Sequence, residues 1–172
     1  MSPARRRVFL RFRHGLISLA LALPCGMAGA ASTFAGEVVH VTDGDTLWVR
    51  PDGGRDRPVK LRLQGIDAPE RCQAWGAEAT AALGARLLHR HVQVRTRARD
   101  VYGRSVASVS LEGQDVGAWM VSQGHAWSES YRRRRGPYSA EEQQARAARR
   151  GLFADGAALP PRRFRREHGA CR

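Results

Sequence analysis

Residues 36–63 read GEVVHVTDGDTLWVRPDGGRDRPVKLRL, the pattern of a β-hairpin followed by a third strand. Gly36 to Thr42 is valine-rich and loosely alternating, the pattern of a half-buried strand. Asp43-Gly44-Asp45 is a turn in which Gly44 is free to take positive φ. Thr46 to Arg50 is the returning strand of a hairpin, and Pro51-Asp52-Gly53-Gly54 is a second turn. Val59-Lys60-Leu61-Arg62-Leu63 alternates strictly. Alternation puts Lys60 and Arg62 on one face of that strand and Val59, Leu61 and Leu63 on the other.

Downstream, Gly76 to His89 carries Ala, Leu and Arg at helical spacing. Val92-Gln93-Val94 and Ser105 to Leu111 are two further strands, separated by a hairpin loop at Arg99 to Gly103. Asp115 caps a short helix running to Gln123, with Gly124 at its C′ position. Ser139-Ala140-Glu141-Glu142 is a capping box that opens a helix to Arg150, stopped by Gly151. The order βββ-α-ββ-α-α predicts an α+β domain built on a five-stranded Greek-key barrel of the OB type, with three helices. Residues 154–172 are rich in Pro and Arg without periodicity and are expected to form a solvated C-terminal tail.

The chain has 29 Lys and Arg against 16 Asp and Glu, a net charge of +13. Lys60 is the sole lysine, and the planar arginine fork matches phosphate geometry better than an ammonium does. A polyanionic partner is the expectation. A coding bias toward arginine accounts for the Arg/Lys ratio but not for the net charge.

Residues 1–30 have the layout of an export signal. Arg5 to Arg13 form a positive start, Gly15 to Leu23 a short apolar run, and Ala28-Gly29-Ala30 a small-x-small cleavage site. Arg6-Arg7-Val8-Phe9-Leu10-Arg11 also matches most of a twin-arginine signal, so both Sec and twin-arginine routes stay open. The apolar run is short for a membrane span, and no membrane association is expected of the mature chain. Cleavage after Ala30 removes Cys25 and leaves Cys72 and Cys171. In an oxidising compartment these two are either bridged or free. A bridge would tie the tail to the loop after Glu70, closing a loop worth about 4–5 kcal/mol of chain entropy.

Three short stretches gather the residues that carry chemistry: Asp43-Gly44-Asp45-Thr46, the run from Arg62 to Glu70, and Asp100-Val101-Tyr102-Gly103-Arg104. Asp45, Asp67 and Glu70 offer hard oxygen ligands for a cation such as Ca²⁺ and a group able to activate water. Arg62 and Arg104 can grip charge developing on a phosphate. Tyr102 offers a flat face to a base. An EF-hand reading of Asp43-Gly44-Asp45 fails, because Gly54 stands where the bidentate Glu is required.

Together these stretches resemble the staphylococcal nuclease, or thermonuclease, family. The resemblance runs from about Gly36 to Phe153 and includes DGDT, R-x₄-D-x-P-E, D-x-Y-G-R and the closing Gly151-Leu152-Phe153. It implies an OB barrel with three helices over residues 31–153. It also implies metal ligation by Asp45, Asp67 and the backbone carbonyl of Ala68, with Ca²⁺ as the cofactor. Glu70 would be the general base or water-orienting group, Arg62 and Arg104 the phosphate-binding arginines, and Tyr102 a base-stacking residue. Tyr131 is a second nucleotide-facing candidate. The sequence departs from the family's type protein at Ala68, a threonine there, and at Val101, a lysine there. The implied activity is a secreted, Ca²⁺-dependent endonuclease of low sequence specificity. It would hydrolyse DNA and RNA to 3′-phosphorylated ends, as a monomer in the periplasm or outside the cell. The alternative is a non-catalytic OB module that binds nucleic acid.

Overall fold

The computed structural model describes residues 31–53, 57–130, 134–154, 156–169 and 171. Residues 1–30, where an export signal is expected, and Tyr131 lie outside the described residues. The strands are β1 (Thr33–Asp43), β2 (Thr46–Pro51), β3 (Val59–Leu63), β4 (Ile66–Asp67), β5 (His91–Arg99), β6 (Ser105–Leu111), β7 (Gln114–Asp115) and β8 (Trp127–Ser128). The helices are α1 (Gly76–Leu87), α2 (Val116–Ser122), α3 (Ser139–Ala147) and α4 (Pro161–His168), with a 3₁₀ turn at Gly151–Phe153.

Strands β3, β2, β1, β5 and β6 are hydrogen-bonded in that order, and a parallel pairing of β3 with β6 closes them into a five-stranded barrel. Closure removes the exposed strand edges. β7 extends the sheet beside β6, while β4 and β8 form a separate two-stranded ribbon. The barrel interior holds the inward set read from the alternation: Val38, Leu47, Val49, Leu61, Val94 and Ala107 are fully excluded from solvent. Helix α1 adds Ala79, Leu83 and Leu87, and α2 adds Val116, Met120 and Val121. Each large aliphatic side chain so buried contributes about 1.5–3 kcal/mol.

Two glycines set the close approaches that the site needs. Gly44, in the β1–β2 turn, does not have positive φ. A Cβ there would lie 2.7 Å from the Cβ of Ala68 and 2.9 Å from that of Ala79. The turn therefore requires glycine because it packs directly on α1 and on the segment after β4. At Gly76 a Cβ would sit 2.0 Å from the Glu70 carbonyl oxygen, so the start of α1 rests against the Glu70 loop.

The structure departs from the sequence expectation elsewhere as well, beginning with the short strands β4, β7 and β8 outside the five of the barrel. Strand β5 continues past Val94 to Arg99, with the solvent-facing Arg95, Arg97 and Arg99 hiding its alternation. The expected capping box does not form: Tyr138, not Ser139, is the N-cap of α3. The Glu142 carboxylate instead accepts a hydrogen bond from the Ser128 backbone N–H at 2.8 Å, which ties α3 to β8. The tail contains α4, opened by Pro161 at a position where the missing N–H costs nothing. Cys72 is joined to Cys171 with a Cα–Cα separation of 5.7 Å, and the Leu159 carbonyl accepts a hydrogen bond from Gln73 Nε2. A second small core of Trp127, Ala145, Leu152 and Phe153, with Trp75 and Ala158 against it, lies beneath this tail.

Candidate active site

The β1–β2 turn, the end of β3, the segment after β4 and the loop before β6 converge at one mouth of the barrel. Register explains the convergence: Thr46 on β2 faces Arg62 on β3, and Arg62 faces Val106 on β6. The Leu63 N–H donates to the Asp45 carbonyl at 2.8 Å, which locks the turn to β3. An open pocket of about 440 Å³ forms there, lined by Asp45, Lys60, Arg62, Ala68, Glu70, Tyr102, Arg104 and Arg165 among others.

Asp45 is buried. Its Oδ1 accepts from the Thr46 hydroxyl at 3.0 Å and its Oδ2 from the Ala68 N–H at 3.1 Å. Arg62 bridges the acids: Nη1 pairs with Asp45, and Nη2 donates to Asp67 Oδ1 at 3.3 Å and to the Ile66 carbonyl at 3.2 Å. Burial pulls the Arg62 guanidinium below its ordinary value, against the opposing charge of Asp67. Burial also pushes the Asp67 carboxyl up, only partly countered by Arg62 and Arg165.

Arg104 is set by its own loop. Asp100 accepts from the Arg104 backbone N–H at 2.9 Å, from Arg104 Nε at 2.7 Å and from the Tyr102 N–H at 3.0 Å. These hydrogen bonds outweigh the upward push of burial and hold the Asp100 carboxyl below the usual range. Arg104 Nη1 reaches the Thr46 hydroxyl at 3.3 Å, so Thr46 joins Asp45 to Arg104. Tyr102 is 80% exposed, with the Arg104 guanidinium 5.3 Å from its ring centre. It is a large aromatic ring left in water beside the pocket, available for stacking.

Glu70 is held differently. Its backbone is fixed by Gln73, whose Oε1 accepts from the Glu70 N–H at 3.1 Å. Its carboxylate accepts from Arg165 Nη1, on α4, at 2.5 Å, and the same nitrogen lies 3.7 Å from Asp67 Oδ1. Burial alone would lower the Arg165 guanidinium, but the contacts with Glu70 and Asp67 prevail and hold it above its ordinary value.

The structure thus brings Asp45, Arg62, Asp67, Ala68, Glu70, Tyr102 and Arg104 to one end of the barrel. Asp67 meets the others through Arg62 and Arg165, and it lines the neighbouring cavity together with Trp127 and Glu129. Among the described residues, no three His, Cys, Asp or Glu side chains are gathered into a ready cation cage, since arginines stand between the acids. The donor chemistry still suits a hard cation: two carboxylates and a carbonyl oxygen, with waters and a phosphate oxygen able to complete the shell. Arg62 is the cation paired with both carboxylates, and Arg165 adds a second, more distant charge beside Asp67. Thr46 and Asp100 belong to this set and were within the quoted stretches, yet only their hydrogen bonds reveal what they do. Arg165 had no local signal in the sequence. The one clue was Cys171, which can return the tail to Cys72.

The sequence model of the family described as staphylococcal nuclease homologue matches residues 60–155. Protein ParB of Escherichia coli is 37% identical over 95% of this chain and 94% of its own length. An endonuclease of Haemophilus influenzae is 33% identical, over 76% of this chain and 72% of its own. Micrococcal nuclease of Shigella flexneri is 35% identical, over 80% and 83% respectively.

Proposed function

The chain belongs to the staphylococcal nuclease family, and from that premise we propose that it is an exported, Ca²⁺-dependent endonuclease that hydrolyses DNA and RNA with low sequence specificity. The nuclease function itself follows from the relatives named nuclease. The observation that supports the finer reading is the pocket in which Glu70, Arg62 and Arg104 share one opening with the buried Asp45 and the exposed ring of Tyr102.

Asp45, Asp67 and the carbonyl of Ala68 would hold the cation. When bound, it supplies charge neutralisation at a nonbridging phosphate oxygen. Glu70 orients a water, or takes its proton, for in-line attack on phosphorus. Arg62 and Arg104 bind the oxyanion charge more strongly as it develops than in the ground state. Asp100 and Thr46 keep Arg104 aimed into the pocket, and Tyr102 stacks on a neighbouring base, which is tolerant of sequence. The P–O5′ bond breaks as the water oxygen bonds to phosphorus, the departing 5′ oxygen takes a proton from solvent water to become a 5′-hydroxyl, and the other fragment keeps a 3′-phosphate. The Cys72–Cys171 pairing suits an oxidising compartment, in keeping with a cleaved export signal over residues 1–30 and a periplasmic or extracellular place of action. No helix among the described residues is long and apolar enough to cross a membrane.

The test is the chemistry of the ends. Single-stranded DNA and RNA oligonucleotides, labelled at the 5′ end, are digested in Ca²⁺ and the products treated with a 3′-phosphatase. Phosphatase-shifted products from both nucleic acids are expected. Products with 3′-hydroxyl ends, or cleavage undiminished in EGTA, would refute the reading.

A further inference from the structure

Three contacts bind the C-terminal segment to the loop that carries Glu70. The Leu159 carbonyl is held by Gln73, Cys171 is joined to Cys72, and Arg165 bonds to Glu70. The Cys72 N–H also donates to Cys171 Sγ at 3.1 Å. All three anchors lie within residues 70–73, so the tail and the Glu70 loop form one unit. Of the described tail residues, Arg165 is the one that lines the pocket, beside Glu70 and Arg71 of the loop.

An exposed Arg–Glu pair is ordinarily a weak surface contact. Two observations set this pair apart. Among the described residues, Arg165 is the sole hydrogen-bond or ion-pair partner of the Glu70 carboxylate, so the group placed to orient water has no other tether. Both contacts of Arg165 with the acids come from Nη1, and among the described residues its Nε and Nη2 make no hydrogen bond. The side chain is 43% exposed, and the pocket it lines also receives Arg62 and Arg104. A guanidinium has five donors in a fixed fork, so one edge can hold a carboxylate while another meets a phosphate.

We propose that Arg165 is a third substrate-binding arginine of this site, which steadies Glu70 through Nη1, offers its remaining N–H groups to a substrate phosphate, and is kept in the pocket by the Cys72–Cys171 bridge. The inference rests on the nuclease reading above. It implies that the site is completed by the tail, beyond residues 60–155 that the family's sequence model matches.

The experiment measures binding of a fluorescent single-stranded DNA 12-mer by anisotropy, in EDTA so that no cleavage intervenes, across a series of NaCl concentrations. It compares the oxidised wild type with Arg165→Ala, Arg165→Lys, the double variant Cys72→Ser/Cys171→Ser, and Arg163→Ala, with circular dichroism confirming folding. Arg163 is on the same helix but pairs with Glu167 in solvent. Arg165→Ala should bind roughly 10-fold more weakly, and its slope of log K against log [NaCl] should shrink by about 0.7, one single-strand phosphate contact. Arg165→Lys should keep the slope and recover part of the affinity, because it keeps the charge and loses the fork. The double cysteine variant should resemble Arg165→Ala, and Arg163→Ala should match wild type. Wild-type affinity and slope in Arg165→Ala overturn the inference while leaving the nuclease reading intact. A double cysteine variant that binds like wild type overturns the role of the bridge. A wild type that neither binds the 12-mer in EDTA nor cleaves it in Ca²⁺ overturns the nuclease reading and this inference with it.

Discussion

Replacing Arg62 by methionine should unlock the site's electrostatics and its stability together. The Arg62, Asp45 and Asp67 side chains are 16, 10 and 15% exposed, so the guanidinium and both carboxylates are largely out of water. Methionine keeps most of the volume of the stem and removes the charge. Asp45 is then left with hydrogen bonds from Thr46 and the Ala68 N–H but no cation, and Asp67 keeps only the more distant Arg165. Removing one partner of a buried pair costs about 3–5 kcal/mol. The remaining hydrogen bonds and the residual exposure favour the lower end, about 3 kcal/mol. For a domain of this size that is a fall in melting temperature of about 10 °C. Thermal melts followed by circular dichroism in EDTA would measure it. Adding Asp45→Asn to Arg62→Met should recover part of the loss, since the stranded charge is the cause. Asp45→Asn alone should not stabilise the wild type. Millimolar Ca²⁺ should raise the melting temperature of Arg62→Met more than that of wild type, because a bound cation replaces the missing charge. A variant that melts within about 2 °C of wild type, unmoved by Asp45→Asn, would show that the arginine is not the counter-charge described above.

Further outcomes follow from the same geometry. Glu70→Gln and Arg104→Ala should each lower the cleavage rate by about 10²–10⁴-fold in plasmid nicking, with the melting temperature little changed in Glu70→Gln and lowered in Arg104→Ala, which strips Asp100 of its cation. Gly76→Ala should destabilise by about 1–3 kcal/mol in urea unfolding, since its Cβ would overlap the Glu70 carbonyl at 2.0 Å and backbone must shift. His125 lies between Trp75 and Trp119, and burial holds its imidazole below the ordinary value of 6.5. A depressed folded-state value means the unfolded chain takes the proton first. The contribution of His125 is therefore present above pH 6.5 and lost as pH falls through its folded value. Urea midpoints between pH 7.5 and 5 should fall less steeply in His125→Gln than in wild type.

Much of the barrel was legible because its strands obey the period of two. Leu61 and Leu63 point inward and Lys60 and Arg62 outward on β3, as alternation demands. The C-terminal half of β5 was obscured because its exposed face is arginine and its register is broken by a bulge between Thr96 and Ala98. The helix at 139 was found, but its capping was misread: Glu142 satisfies a backbone donor on β8 rather than one in its own first turn, a tertiary use no local motif reveals. Gly44 was identified as a turn residue for the wrong reason, since the requirement is contact with Ala68 and Ala79 and not backbone dihedral. Asp45, Arg62, Asp67, Glu70 and Arg104 could be singled out because the chemistry of acids and arginines is recognisable in short motifs. Arg165 could not, because α4 has little apolar periodicity of its own. It is placed by the cross-link at Cys171, the contact from Gln73 and the carboxylates it meets.

The most direct test is a plasmid assay on the purified oxidised protein. Supercoiled DNA is incubated with wild type in Ca²⁺, with wild type in EGTA, and with Glu70→Gln in Ca²⁺, and nicked and linear products are quantified on a gel. Rapid cleavage in the first reaction alone, with the other two slower by at least about 10²-fold, is the predicted result. Binding without cleavage in all three, or equal cleavage with and without the Glu70 carboxylate, would contradict it.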